Sequence, residues 1–444
     1  MTEWARVDRP AGPVTGGVPL PVGLVHDLSK LRVVDLKGRA IPAQFNVMER
    51  WWKPAYDNSV RWLKVDFQAD VPATETAVYY LRDDGKDAPP ATPLKVTEDA
   101  NAITVVTGRL KFTVSKTAFN VIDQVWFDLD RDGAFTDTER MVDSSPDNGG
   151  VITSGDWPDK GLKDNTMFYS SARPPKRVTV EESGPVRVTI VADGTHHARN
   201  KTNPIGLYDY RVRIHAYAGK AFVRVQYAIR NVRVAPTQQV WPIRELVVRT
   251  KVNFPGGHAA AFLMDNDHYR IPPHHWPGQA QTSNWPGKAG VWGRLCSDSK
   301  VVYYQDSSGG DQWKTLAPNG HNSRFFGRGA AEVPGVSFRG YGIFKNGKKE
   351  TGGNHGTGLC DIRNNTWGLI LVMKDFWQQY PKAIEADRGR LSLKVFPSEA
   401  KKIFGLDAGT QKTTDLLYFF HGKKLYKRHV DWVWQRFHRP LRLR

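Results

Sequence analysis

Cysteine is nearly missing from this chain. Only Cys296 and Cys360 occur in 444 residues, with no CxxC pair, which excludes a disulfide framework and predicts two reduced, buried thiols. No apolar run approaches the roughly 20 residues that cross a bilayer, so no membrane-spanning helix is expected. The opening Met1-Thr2-Glu3-Trp4-Ala5-Arg6 has neither an apolar h-region nor a small-residue cleavage site. The chain is therefore expected to be either cytoplasmic or secreted with its leader removed. Helical periodicity is also scarce: Ser398–Phe404 reads as a short turn and Arg428–Phe437 as one amphipathic helix. HExxH and GxSxG are absent, and two distant cysteines cannot build a Cys-rich metal site, so zinc and nucleophile-elbow chemistry drop out. No pair of carboxylates marks a glycosidase.

What is present in quantity is period-two alternation. Leu63, Val65, Phe67, Ala69 and Val71 point one way while Lys64, Asp66, Gln68 and Asp70 point the other. Leu110, Phe112 and Val114 repeat the pattern, as do Val212 with Ile214, and Val223, Val225, Tyr227 with Ile229. Such segments are antiparallel strands with one wet face. Turn dipeptides punctuate them at Lys37-Gly38, Asp84-Gly85, Asp132-Gly133, Asn148-Gly149 and Asn346-Gly347. The fold class is all-β with few or no helices. The Pro-rich stretch 87–93 reads as a linker, separating a small β domain over 1–90 from a large antiparallel β-sandwich over 91–422, with a basic tail over 423–444.

Charge and aromatics narrow the partners. The formal net charge is +18, and the chain carries 15 Trp and 15 Tyr. The basic residues are scattered along strands with no basic helix and no nucleic-acid-reading motif, so nucleic acid is not the expected partner. An acidic polysaccharide would exploit the same field, and a solubilising charge excess is the plainer alternative. Aromatic rings stack on sugars but also fill β cores, and most are expected in the core.

Several segments carry a family resemblance. Gly17–Asp27 (GVPLPVGLVHD), Leu31–Pro42 (LRVVDLKGRAIP) and Ser59–Asp70 (SVRWLKVDFQAD) resemble the opening barrel of exo-rhamnogalacturonan lyase family proteins, a YetA-like group akin to polysaccharide lyase family 26. Gly184–Asp193 and Tyr210–Asn231 resemble strands of that family's central β-sandwich, and Ser337–Tyr341, Lys374–Ala383, Leu391–Pro397 and Lys412–Phe420 its end. The resemblance implies a RIFT-type barrel, a β-sandwich and then an α/α toroid. This sequence stops where the toroid would start, so the tail is expected to open a missing helical domain. It further implies β-elimination on rhamnogalacturonan or another uronate-containing glycan. The alternative is a binding module that grips acidic glycan without cleaving it, or a scaffold with no glycan role.

β-Elimination from a uronate needs a group that neutralises the carboxylate, a base for the C5 proton and an acid for the leaving oxygen. One segment offers all three residue types: Asp265-Asn266-Asp267-His268-Tyr269-Arg270, followed by His274-His275-Trp276. It lies in a Pro/Gly-rich loop region, where scaffolds place binding residues. His268 or His275 is assigned as base, Tyr269 as acid, and Arg270 with Trp276 to substrate binding. A hydrogen-bonded surface loop is the bland reading. Arg339 and Tyr341, two apart on one strand face, form a second wall with the loop Asn319–Arg328. His196-His197, before Arg199 and Lys201, is a third, weaker candidate.

The sharpest local pattern is Asp128-Leu129-Asp130-Arg131-Asp132-Gly133 with Glu139 six residues on, which satisfies D-x-D-x-D-G-x5-E. Alternate carboxylates, a turn glycine and a distal bidentate Glu suit Ca²⁺. Asp128, Asp130, Asp132 and Glu139 are thus the metal ligands to test, in a loop capping a β-hairpin rather than an EF-hand. An acidic hairpin turn is the competing reading, and Arg131 favours it. Ca²⁺ is the only cofactor the sequence points to, and no organic cofactor is expected.

Overall fold

The computed structural model describes residues 1–3, 5–52, 57–85, 89–156, 163–200, 205–232, 240–253, 259–265, 299–311, 313–314, 336–422 and 427–443. All strand pairs within these residues are antiparallel. The first unit is two three-stranded sheets. One orders Arg9–Pro19, Val60–Val71 and Ala43–Arg50; the other orders Ala40–Ile41, Leu31–Val34 and Tyr80–Asp83. Their apolar alternates meet in one core of Val14, Leu31, Val33, Leu63, Val65 and Phe67. The alternation of Val60–Val71 is the reason: Leu63, Val65, Phe67, Ala69 and Val71 are all buried.

The second unit follows. A five-stranded sheet runs from Arg140–Val142 to Lys95–Glu98. It packs against one sixteen-stranded sheet whose hydrogen-bonded path begins Ala259–Asp265, Gly356–Arg363, Trp367–Met373, Gln411–Gly422, Phe222–Arg230, Gly206–Tyr217 and Arg187–Ala198. The path returns through Gly149–Ser154, Ile243–Lys251, Arg390–Phe396 and Lys382–Asp387 to Lys348–Gly353, making a nearly closed sandwich. Tyr210, Tyr227, Tyr303 and Tyr418 are among its largest fully buried side chains, so most of these aromatics serve the core. At ~25 cal/mol per Å² of apolar surface, each such ring stabilises the fold by a few kcal/mol.

Turn chemistry matches the sequence. Asn346 and Gly347 both have positive φ (48° and 82°), the conformation of a two-residue hairpin turn, and they join Tyr341–Lys345 to Lys348–Gly353. Ser398–Ala400 is one 3-10 turn, and the single helix among the described residues is Lys427–His438.

The expected tail has a definite place. The helix packs on the outer face of Gly356–Arg363, Trp367–Met373 and Gln411–Gly422 through Val430, Val433 and Trp434, and Trp434 Nε1 donates to Thr357 O at 2.8 Å. The chain then returns to the small unit. Leu441 enters that unit's core and bridges Val14 in parallel, while Arg9 donates to Arg439 O at 2.8 Å. A polar seam joins the two units directly: Arg187 reaches Asp66 at 3.1 Å and Glu182, and its backbone N–H donates to Gln44 Oε1 at 3.0 Å.

Candidate functional site

His268, Tyr269, Arg270, His274, His275, Trp276 and the loop Asn319–Arg328 lie outside the described residues, as does Cys296. Cys360 is free and fully buried on Gly356–Arg363.

Arg339 and Tyr341 do not share a face. The strand begins only at Tyr341, whose ring is buried edge-on against Tyr303, 5.3 Å between centroids. Arg339 sits in the bend before it, exposed, donating to Gly309 O at 2.8 Å and pairing with Asp311 at 2.9 Å. The expected wall is therefore split between core and surface. His196 also turns inward. Its Nδ1–H donates to Tyr208 O at 2.9 Å, and its Nε2 accepts from the Tyr227 hydroxyl at 2.8 Å. Burial pushes its pKa down to about 4, so it is a neutral core histidine.

The acidic motif is partly assembled. Carboxylate oxygens of Asp128, Asp130 and Glu139 all lie within 4.8 Å of one another, and Asp132 is outside that group. The loop already uses several of these oxygens. Asp128 accepts from Arg131 N at 2.7 Å, and Asp132 from Ala134 N at 2.7 Å. Glu139 accepts from Leu129 N at 2.7 Å and Thr136 N at 3.1 Å, as the partner in a capping box. Three close carboxylates are a donor set suited to a hard divalent cation.

A larger feature comes from segments far apart in sequence. A cavity of about 470 Å³ opens where the small unit, the sandwich and the helix meet, a size typical of small-ligand sites. Its floor is the outer face of the large sheet. Register sets Phe222 beside Phe419 and Arg224 beside Leu417, and the two phenylalanine rings lie 6.5 Å apart and nearly parallel (15°). The hairpin Tyr217–Phe222 supplies Lys220, the helix supplies Arg436 and Phe437, and Arg9–Thr15 closes one side with Pro440–Arg442. Every charged residue in this lining is basic: Arg9, Lys220, Arg224, Arg436 and Arg442.

Crowded like charges and burial shape the electrostatics. Lys220 is pushed down to about 8, chiefly by burial and then by Arg436, with Asp70 opposing. Arg436 is lowered by burial and by Arg9, with Asp8 and Glu3 opposing. Two of the cations are committed: Arg9 to buried Glu3 at 2.7 Å and Arg224 to Asp415 at 3.0 Å. Lys220, Arg436 and Arg442 form no ion pair among the described residues. No motif flagged these residues, because they come from four separate segments. The available signal was the basic outward alternates of Phe222–Arg230 and the cationic tail.

The fold thus defines an all-β protein with a large, nearly closed antiparallel sheet and a cationic cavity at its junction with a smaller β unit. Its similarity to a known family lies in the sandwich: residues 94–254, little more than a third of the chain, match the family described as PcRGLX-like protein central beta sandwich domain, which supports a rhamnogalacturonan lyase-like family. No curated protein matches the chain. Among solved structures, a glycosyl hydrolase family 38 protein from Enterococcus faecalis is similar at 8% identity and a TM-score of 0.47, covering 96% of this chain and 44% of that one. An alpha-mannosidase from Enterococcus faecalis V583 is similar at 8% identity and TM-score 0.40, covering 97% and 43%. A putative aldose 1-epimerase from Escherichia coli K12 is similar at 10% identity and TM-score 0.31, covering 74% and 99%. The chain spans less than half the length of the two Enterococcus proteins.

Proposed function

We propose that this protein acts on uronate-bearing polysaccharide of the rhamnogalacturonan class by β-elimination. The observation that carries this reading is the cavity, with basic residues around it, aromatic carbon on its floor and no carboxylate in its described lining. The match of residues 94–254 supports the same substrate class.

The chemistry divides into parts. Cations neutralise the uronate carboxylate and so acidify the C5 proton; the cavity offers them. The base and acid are assigned to His268 or His275 and to Tyr269, with Arg270 and Trp276 on the sugar. The elimination breaks the C5–H and C4–O4 bonds, forms C4=C5, and passes a proton to the departing oxygen.

Incubation with rhamnogalacturonan or polygalacturonate tests the proposal. The expected result is new ultraviolet absorbance from an unsaturated uronate, abolished in a His268→Ala/His275→Ala double variant. Bound glycan with a flat absorbance trace selects the second reading, a non-catalytic acidic-glycan module, which the same cavity supports. We also propose Ca²⁺ for the loop of Asp128, Asp130, Asp132 and Glu139, where it would brace the hairpin cap at the edge of the five-stranded sheet.

A further inference from the structure

Resting on the reading that the ligand is an acidic sugar, we propose that the cavity is a chain-end subsite in which Lys220 and Arg436 hold the carboxylate of one terminal uronate over the Phe222 and Phe419 rings.

The first support is the pairing of the cations. Arg9 and Arg224 have carboxylate partners at 2.7 and 3.0 Å. The Lys220 ammonium makes one hydrogen bond among the described residues, donated to Pro10 O at 3.0 Å. An ammonium carries three N–H donors, so two remain for a ligand. Arg436 donates its Nε and Nη2 to Asp8 O at 3.0 and 2.6 Å and lies over the Trp432 ring, 5.7 Å from its centroid. Asp8 and Glu3 favour its charge from nearby, but it forms no ion pair among the described residues. Two half-buried cations without an ion pair repel each other at one cavity, and a ligand carboxylate between them converts that repulsion into two charge-assisted bonds.

The second support is rigidity. Gly219 takes φ +68°, its N–H donates to Thr107 O at 2.6 Å, and Thr107 Oγ1 donates to Lys220 O at 2.7 Å. The lysine is thus presented from a tied hairpin rather than a loose loop, which lowers the ordering cost of binding. The partly buried phenylalanine rings give the floor an apolar, aromatic surface suited to the C–H face of a pyranose.

The third support is closure. A Cβ at Gly12 would stand 2.9 Å from Leu441 Cδ1, and one at Gly16 only 2.4 Å from Leu443 Cδ1. The returning tail is pressed onto the strand Arg9–Pro19 and walls that side of the cavity. A wall packed this tightly on one side favours the end of a chain over a threading polymer in the 470 Å³ space.

Isothermal titration tests the assignment with three probes: digalacturonate, polygalacturonate and a neutral digalactoside. Digalacturonate is expected to bind as tightly per chain end as the polymer, and the neutral sugar about tenfold more weakly or worse. Lys220→Met is expected to lose about tenfold or more for digalacturonate while Lys220→Arg keeps its affinity. Lys37→Met, on an exposed turn, is expected to change nothing, and matching melting curves exclude misfolding. The inference is overturned if Lys220→Met binds digalacturonate like the unaltered protein, if the neutral sugar binds equally, or if the unaltered protein ignores digalacturonate. Absent ultraviolet product removes the elimination reading and leaves this one standing. Unchanged binding by Lys220→Met removes this one even where product forms.

Discussion

The acidic loop at Asp128–Glu139 and the cationic cavity are opposite in charge and opposite in construction. The loop is contiguous: Asp128, Asp130 and Glu139 come together through bonds that span no more than ten residues. The cavity draws Arg9, Lys220, Phe419 and Arg436 from four distant segments. A contiguous motif survives in any context that permits its turn. A cavity exists only while three units stay docked, so its ligand chemistry depends on packing that no local pattern encodes.

Trp434→Ala is the strongest way to separate the two. It removes a buried indole that anchors the helix to the sheet, at an expected cost of about 3–5 kcal/mol. Denaturant melts are expected to shift accordingly and acidic-sugar binding to vanish, while any Ca²⁺ response of the loop persists. Loss of both together would mean that the loop is not autonomous.

The cavity also has a pH signature. Burial, helped by Arg436, pulls Lys220 down to about 8 in the folded chain, from an ordinary value of 10.5. Below about 8 it is an ammonium and binds carboxylate. As pH rises through 8 it loses its charge while the arginines keep theirs, so digalacturonate affinity is expected to fall. Between 8 and 10.5 the unfolded chain holds the proton more tightly, so this group makes the free protein more stable as pH rises. The facing groups that share this field are Arg9, Tyr217, Arg224, Arg436, Arg442 and Asp70. Titrations above and below pH 8, with melts of the free protein, check both signs.

Glu139→Ala tests the loop from the other side. It removes the capping-box acceptor of Leu129 N and Thr136 N, at an expected cost of about 1–2 kcal/mol in calcium-free buffer, with the calcium-dependent gain of the parent lost in addition. The smallest expected effect is Asp130→Ala, which is exposed: within about 0.5 kcal/mol in calcium-free buffer. With saturating Ca²⁺ the parent protein is expected to gain melting temperature and the variant to lose that gain. A parent that gains nothing in Ca²⁺, with no heat of binding, leaves the loop an acidic turn.

Legibility followed the range of the interactions. Alternation in Val60–Val71, Gly206–Tyr217 and Phe222–Arg230 marked the apolar faces correctly, because side-chain direction has period two wherever a strand runs. The polar face of Val60–Val71 is not wet throughout, since Asp66 is buried against Arg187. Arg339 and Tyr341 failed the same rule because the strand starts at Tyr341, leaving Arg339 in a bend. His196 followed the inward face of Arg187–Ala198 into a bond with Tyr227, a partner thirty-one residues away.

The sequence alone determined the all-β class, the hairpin turns, the terminal helix and the D-x-D-x-D-G loop, since each rests on residues within about a dozen positions. Tertiary structure decided the rest: the tail's return through Leu441 into the first core, the split of Arg339 from Tyr341, and the gathering of unpaired cations around Lys220. Those depend on which surfaces dock, and docking is set by burial summed over the whole chain rather than by any one stretch of it.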